Sequence, residues 1–185
     1  ALPNVFFFDR TPMANMRPLA IGENGLAVPL EDLDIDTFGV TTYDQYSWRQ
    51  LIDGWACTSC ARCQDVCPAY ESGKTLNPMQ IVHDVRSFAN EHAPILLAGD
   101  KPDETMMQRL TADAVWACTT CHACVDACPL YIEHVPKLTD LRRNAMMETM
   151  EYPEQLNVAM GNLESGSNPY LSLIHISEPT RQSLI

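Results

Sequence analysis

The sequence predicts an all-α domain preceded by an irregular N-terminal arm, and three observations predict it. All eight cysteines fall in two compact copies of one pattern. The stretches that join and follow those copies carry apolar residues at helical spacing. Capping residues and prolines stand where helices start rather than where strands turn.

Residues 1–46 form the irregular connector. Pro3, Pro12, Pro18 and Pro29 interrupt any long helix there. Glu31 to Asp36 alternates acidic and apolar residues, which fits a short edge strand or a solvated acidic loop. From Tyr43 to Gly54 the pattern turns helical, with Tyr43, Tyr46, Leu51 and Trp55 near one face, and the chain reaches Cys57. The main domain is read as 47–150. Its first motif runs Trp55-Ala-Cys57-Thr-Ser-Cys60-Ala-Arg-Cys63-Gln-Asp-Val-Cys67-Pro68-Ala-Tyr70.

A helical linker follows. Asn77 is its cap, Pro78 its first residue, Gln80 a partner for a capping box, and Leu76 with Ile81 a hydrophobic staple. Ile81, Val82, Val85, Phe88 and Ala89 make its apolar stripe. Pro94 and Gly99 to Pro102 are expected as a loop, and Asp103 to Leu110 as a further helix. The second motif, Trp116-Ala-Cys118-Thr-Thr-Cys121-His-Ala-Cys124-Val-Asp-Ala-Cys128-Pro129-Leu-Tyr131, repeats the first at a constant offset. Pro136 is expected to start another helix whose inner face is Leu138, Leu141 and Ala145. Residues 151–170 read as the start of a linker. The final stretch, 171–185, resembles the translation of a sequencing adapter and is expected to be non-native. On that reading the natural chain continues past Tyr170, and a start at Ala1 without Met points to a fragment or a processed start.

Each motif reads C-x2-C-x2-C-x3-C-P, the spacing of cysteine ligands to a 4Fe–4S cluster. Cysteines at i, i+3 and i+6 wrap one face of a cube, with intervening N–H groups toward its sulfides. The fourth ligates the other cluster in two-cluster proteins. The expected sets are Cys57, Cys60, Cys63 and Cys128 for one cluster, and Cys118, Cys121, Cys124 and Cys67 for the other. Zinc also takes four thiolates, but its structural sites pair two separated knuckles, whereas four cysteines here fit in eleven positions. A zinc-binding structural module is the alternative from another class. Disulfides fit poorly, because cysteines this close along the chain make strained bridges.

Other residues carry lesser expectations. His122 is expected as a partly exposed turn residue at a cluster's edge, His83 as structural, and His134 as a candidate donor beside a cluster. Trp55, Trp116, Tyr70 and Tyr131 are expected to pack over the clusters and keep water away. Arg142 and Arg143 are assigned to a solvated helix face, with an acidic partner as the other reading. Met106-Met107 and Met146-Met147 are assigned to core filling. No nucleophile with a base and no phosphate loop stands out, so no complete active site is expected. A net charge of −12 argues against nucleic acid. No apolar run reaches the length of a membrane span.

The two motifs and their helical linker, about Ser47 to Met150, resemble the helical ferredoxin domain with two 4Fe–4S clusters. That domain occurs in the iron–sulfur subunits of heterodisulfide reductase, anaerobic glycerol-3-phosphate dehydrogenase and succinate dehydrogenase. Further runs are similar to the large membrane-bound heterodisulfide-reductase-related oxidoreductases. They are Asp36 to Val40, Trp48 to Asp53, Gly73 to Pro78, Ile132 to Pro136 and Asn168 to Tyr170. The resemblance implies electron transfer between a flavoprotein or a thiol-redox, CCG-type domain and cytochrome b haem or quinone. It places a membrane domain before this chain, with residues 1–30 as a connector on the cytoplasmic side. The iron–sulfur subunit of a glycolate or glycerol-3-phosphate type dehydrogenase is the alternative within the class.

Overall fold

The computed structural model describes residues 2–7, 38–100 and 102–170. The alternation at Glu31 to Asp36 and the stretch 171–185 lie outside them. Among the described residues there is no strand, and the all-α expectation holds. Contacts divide the chain into two units, Ala1–Thr149 and Met150–Ile185.

The first unit opens with a short helix, α1 (Leu2–Phe7), whose Asn4 is fully buried. One turn of 3-10 helix at Tyr43–Gln45 comes next. Ser47 then starts α2 (Trp48–Ala56) with a capping box, its Oγ accepting from the Gln50 N–H while the Gln50 side chain accepts from the Ser47 N–H. The single helix expected from Tyr43 is therefore two pieces, because Tyr46 and Ser47 take extended dihedrals to make that cap. Two four-residue helices, α3 (Arg62–Asp65) and α4 (Pro68–Glu71), carry the first motif.

The longest element is α5 (Pro78–Leu97). Asn77 caps it, accepting from the N–H groups of Met79 and Gln80 at 3.0 and 3.3 Å. Gln80 does not close a capping box; its amide bonds Asp84 at 2.7 Å instead. Leu76 and Ile81 are buried in one cluster, as a staple requires. The helix also runs through Pro94, where the pattern predicts a loop. Pro94 lies in the last turn, so its missing N–H and its ring disturb only the end of the ladder.

The next elements are shorter than the pattern suggests. Thr105 caps α6 (Met106–Leu110) with a capping box to Gln108, so the helix starts three residues after Asp103. Thr111, at φ 63°, breaks it from α7 (Ala112–Ala117). The second motif contains α8 (Ala123–Asp126). Then α9 (His134–Asn144) begins two residues before Pro136, which sits inside its first turn where no helical N–H is needed. It ends in a π turn at Ala145–Thr149.

α5 organises the core by facing three ways. Ile81, Val85 and Phe88 join Val40, Tyr46, Leu76, Met106, Leu110, Val115, Leu138 and Leu141 in the main cluster. Val82 packs with Ala56, Cys128 and Ile132, and Met79 packs against Cys63, Cys124, Val125 and Val135. At the foot of α9 the backbone of Gly39 (φ 75°) approaches so closely that a Cβ there would lie 2.2 Å from the Asp140 carbonyl oxygen. The second unit contains α10 (Glu154–Gly166) in the stretch read as a linker. Ser167 ends it at φ 53°, and Asn162 bonds the Pro169 carbonyl at 2.8 Å.

Candidate metal centre

The two motifs fold alike in detail. Ser59 and its counterpart Thr120, 61 residues on, take φ 57° and 54°; Ala61 and His122 take 63° and 61°. Left-handed residues interleaved with ordinary ones curl successive N–H groups to one side and make an anion-accepting concavity. The Thr120 N–H duly points to Cys118 Sγ at 3.4 Å. The carbonyls of Ala61 and His122 each accept from residues three and four further on, starting α3 and α8. The Cys67 N–H bonds Gln64 and the Cys128 N–H bonds Val125, again at matching positions. The copies diverge only after the fourth cysteine. The first continues into α4, while the second turns through Pro129 and Leu130 to Tyr131, at φ 57°.

This folding gathers the cysteines into two cavities. One is lined by Cys57, Cys60, Cys63 and Cys128 together with Met79 and Ile132. The other is lined by Cys118, Cys121, Cys124 and Cys67 together with Leu76 and Leu138. Three cysteines of one motif thus face the last cysteine of the other in each case. None of the eight is in a disulfide.

The cavities suit a sulfur-rich, multiply ligated metal group. Burial first, then the neighbouring Cys128, Cys57 and Cys60, push the Cys63 thiol up to about 12. Burial and the sulfurs of Cys118, Cys63, Cys67 and Cys121 raise Cys124 likewise. Four thiolates brought together, two of each set buried, repel one another unless a metal centre neutralises them. Both ring nitrogens of His122 and Nδ1 of His134 are buried without a partner among the described residues. Buried donors normally have acceptors, and cluster sulfurs in the adjoining cavity provide them.

Residues 49–129 match the family described as "4Fe-4S dicluster domain". The chain carries a 4Fe–4S dicluster domain. The domain holds two 4Fe–4S clusters, which displaces the zinc and disulfide readings. It is similar to an "EtfAB:quinone oxidoreductase" of Syntrophomonas wolfei, 32% identical over 90% of this chain and 25% of that protein. It is also similar to a "Probable membrane-anchored ferredoxin" of Chromohalobacter salexigens, 32% identical over 80% of this chain and 25% of that one. A third relative is a subunit of the "Ferredoxin:CoB-CoM heterodisulfide reductase" of Methanosarcina mazei, 32% identical over 62% of this chain and 60% of that subunit. The chain spans about a quarter of the length of the first two. Electron transfer through 4Fe–4S clusters is the function that these matches support. Among the described residues no helix is long and apolar enough to cross a membrane.

Around the dicluster domain's cavities the structure corrects several expectations. His122 is buried, not partly exposed, because its left-handed backbone turns the ring into the Cys118 cavity. His134 lines both cavities, as a donor beside a cluster must, and burial lowers it to about 3, so it stays neutral. His83, expected as structural, joins α5 to the first motif. Its Nε2 lies 3.0 Å from Ser59 Oγ and 3.6 Å from Cys57 Sγ. Trp55 and Tyr70 are exposed and line neither cavity, so they shield nothing; Trp55 lies on the outer face of α2. Trp116 is partly covered, with the Arg142 guanidinium 5.2 Å above its ring. Arg142 is not on a solvated face, since it donates to the carbonyls of Val115 and Cys118, each at 2.6 Å. Arg143 pairs with Asp140 at 3.0 Å. Met106 is fully buried, as core filling requires, whereas Met147 is exposed.

A buried polar network behind the first motif escaped sequence reasoning. Asp53, one turn before Cys57, accepts from Lys137 Nζ at 2.5 Å, from Asn4 Nδ2 at 2.7 Å and from the Glu133 N–H at 3.2 Å. Lys137 also donates to the Glu133 carbonyl, and Glu133 pairs with Arg49 at 3.1 Å. The network clamps α1 and α2 to the start of α9. Elsewhere Glu91, His92 and Glu104 converge as metal ligands do, but Arg109 already pairs with both carboxylates.

Proposed function

We propose that this chain is the two-cluster electron relay of a membrane-associated, heterodisulfide-reductase-like oxidoreductase, with crossed cysteine ligation. Cys57, Cys60, Cys63 and Cys128 hold one cluster; Cys118, Cys121, Cys124 and Cys67 hold the other. The observation that carries this is the lining of each cavity by three cysteines of one motif and the last of the other. When bound, each cluster takes up and returns a single electron. The protein's part is to fix the thiolates, turn N–H donors toward sulfur and keep water out. Crossing ties the halves together, so neither site is complete without both motifs.

The names of the relatives support a membrane-associated redox assignment; on the resemblance described above, electrons pass between a flavoprotein or thiol-redox partner and haem or quinone at the cytoplasmic face of a membrane. The proposed domain plan keeps 47–150 as the relay, with 1–46 and 151–170 as connectors and 171–185 as a non-native tail.

Iron, acid-labile sulfide and EPR of the reduced protein test the reading. About eight iron and about eight sulfide per chain are expected. Cys67→Ser is expected to disturb the same EPR signal as Cys121→Ser, and Cys128→Ser the same one as Cys60→Ser. Pairing of Cys67→Ser with Cys60→Ser instead overturns the crossing. Prompt reoxidation of the reduced protein by a quinone analogue in the presence of the membrane partner, and not by the analogue alone, tests the wider assignment.

A further inference from the structure

The two cavities differ at one motif position whose backbone is the same in both. Between the second and third cysteines the first copy has Ala61 and the second has His122, at φ 63° and 61°. The hydrogen bonds that leave the two residues match. At that position the side chain is the whole difference; the next position differs too, with Arg62 at the rim of the first cavity where the second has Ala123, but Arg62 is exposed and water screens its charge. His122 is 2% exposed, lines the Cys118 cavity, and has no partner among the described residues for either ring nitrogen. An imidazole carries at least one N–H in either tautomer. A buried donor left without an acceptor loses the hydration it had in water and gains nothing in return. The acceptors that the cavity is built to receive are the sulfurs of its cluster.

A second difference acts in the same direction. Arg142 is held against the carbonyl of Cys118, the first cysteine of the second motif, and contributes a permanent positive charge there. Beside the first cysteine of the first motif stands His83, whose Nε2 divides itself between Ser59 Oγ and Cys57 Sγ at the solvent edge. A shared donor and an exposed guanidinium at the rim of the first cavity thus stand against a buried donor and a half-buried guanidinium at the second. Hydrogen bonds and positive charge at the sulfurs favour the reduced, more negative state and raise the potential.

We propose that His122 donates a hydrogen bond to the second cluster's sulfur and holds that centre at a higher reduction potential than the first, so that an electron entering the domain settles on the second centre. The proposal rests on the two-cluster reading above, and its test separates the two. Full-length chain is loaded without oxygen, its iron and sulfide are counted, and its reduction is followed by EPR at controlled potential. Two distinct midpoints are expected. His122→Ala should lower the higher midpoint by about tenfold in the one-electron equilibrium, about 59 mV, and leave the lower in place. That variant only copies Ala61, so its backbone is already shown to be accessible. His122→Asn retains an N–H on a residue that tolerates this conformation and should restore most of the difference. Ala61→His should raise the lower midpoint. The proposal is overturned if His122→Ala moves the lower midpoint, moves both equally or moves neither. A count without sulfide overturns the two-cluster reading itself, and this proposal with it; full counts with unmoved midpoints overturn this proposal alone.

Discussion

Lys137 has no exposed side-chain surface and meets the equally buried Asp53 at 2.5 Å. A buried pair contributes little net stability against an apolar replacement, but removing one partner strands the other charge. Lys137→Met should therefore cost about 3–5 kcal/mol, read as a fall in the urea midpoint of the cluster-loaded protein. A loss under about 1 kcal/mol would mean that water reaches Asp53. Gly39 supplies a second test at this scale. A methyl there meets the Asp140 oxygen at 2.2 Å and the Asn144 nitrogen at 2.5 Å, whereas at Gly73, also at positive φ, it meets nothing. Gly39→Ala should destabilise by more than the roughly 1–2 kcal/mol of left-handed strain that is all Gly73→Ala incurs. Equal losses would refute the close packing onto α9. The cysteines and their spacing were legible in the sequence because eleven positions carry the whole signal. The Asp53–Lys137 pair was not, since its members lie 84 residues apart and nothing local marks either as buried. Trp55 and Trp116 show the same limit: a repeat reveals equivalent positions, not what covers them, and Trp116 has an arginine over its ring while Trp55 is exposed.

Among the elements, α5 shows where helix reading works and where it stops. Its start was legible because Asn77, Pro78 and the staple pair Leu76 and Ile81 act through local chemistry. Its end was not, because a proline in a last turn removes little, and α5 runs past Pro94 to Leu97. The four-residue helices α3 and α8 are under one window of any periodic signal and are set by the left-handed residues before them. Asn77 does two jobs, capping α5 and donating to Gln64 Oε1 at 2.8 Å, which joins the cap to α3 of the first motif. Asn77→Ala should cost about 1–2 kcal/mol by thermal melting, more than an isolated cap loses in a peptide. It should also hasten cluster loss in air, because α3 carries Cys63. Destabilisation without faster bleaching would detach the cap from the site.

On the scale of the molecule, the cysteines are part of the core. Cys67 packs in the main apolar cluster, Cys128 in the second, and Cys63 with Cys124 in the third. Removing the clusters therefore opens all three, and chelation or oxidation should lower the unfolding midpoint of the whole first unit in one transition. The pH dependence should also change sign. Without clusters, burial raises the thiols of Cys63, Cys118, Cys124 and Cys128 above their ordinary value of 9.0, Cys63 to about 12. An acid whose folded value lies above its unfolded one binds its proton more tightly in the fold. Its stabilising effect is complete below pH 9 and is lost as pH climbs through about 12. With clusters bound, the same sulfurs are held as thiolates, so alkali no longer separates folded from unfolded through them. Acid does so instead, because protons compete with iron for sulfur. Urea midpoints measured across pH should thus fall on the alkaline side for the cluster-free chain and on the acid side for the loaded one. Parallel profiles would show that the buried sulfurs do not couple cluster binding to folding, and that the core stands on its apolar residues alone.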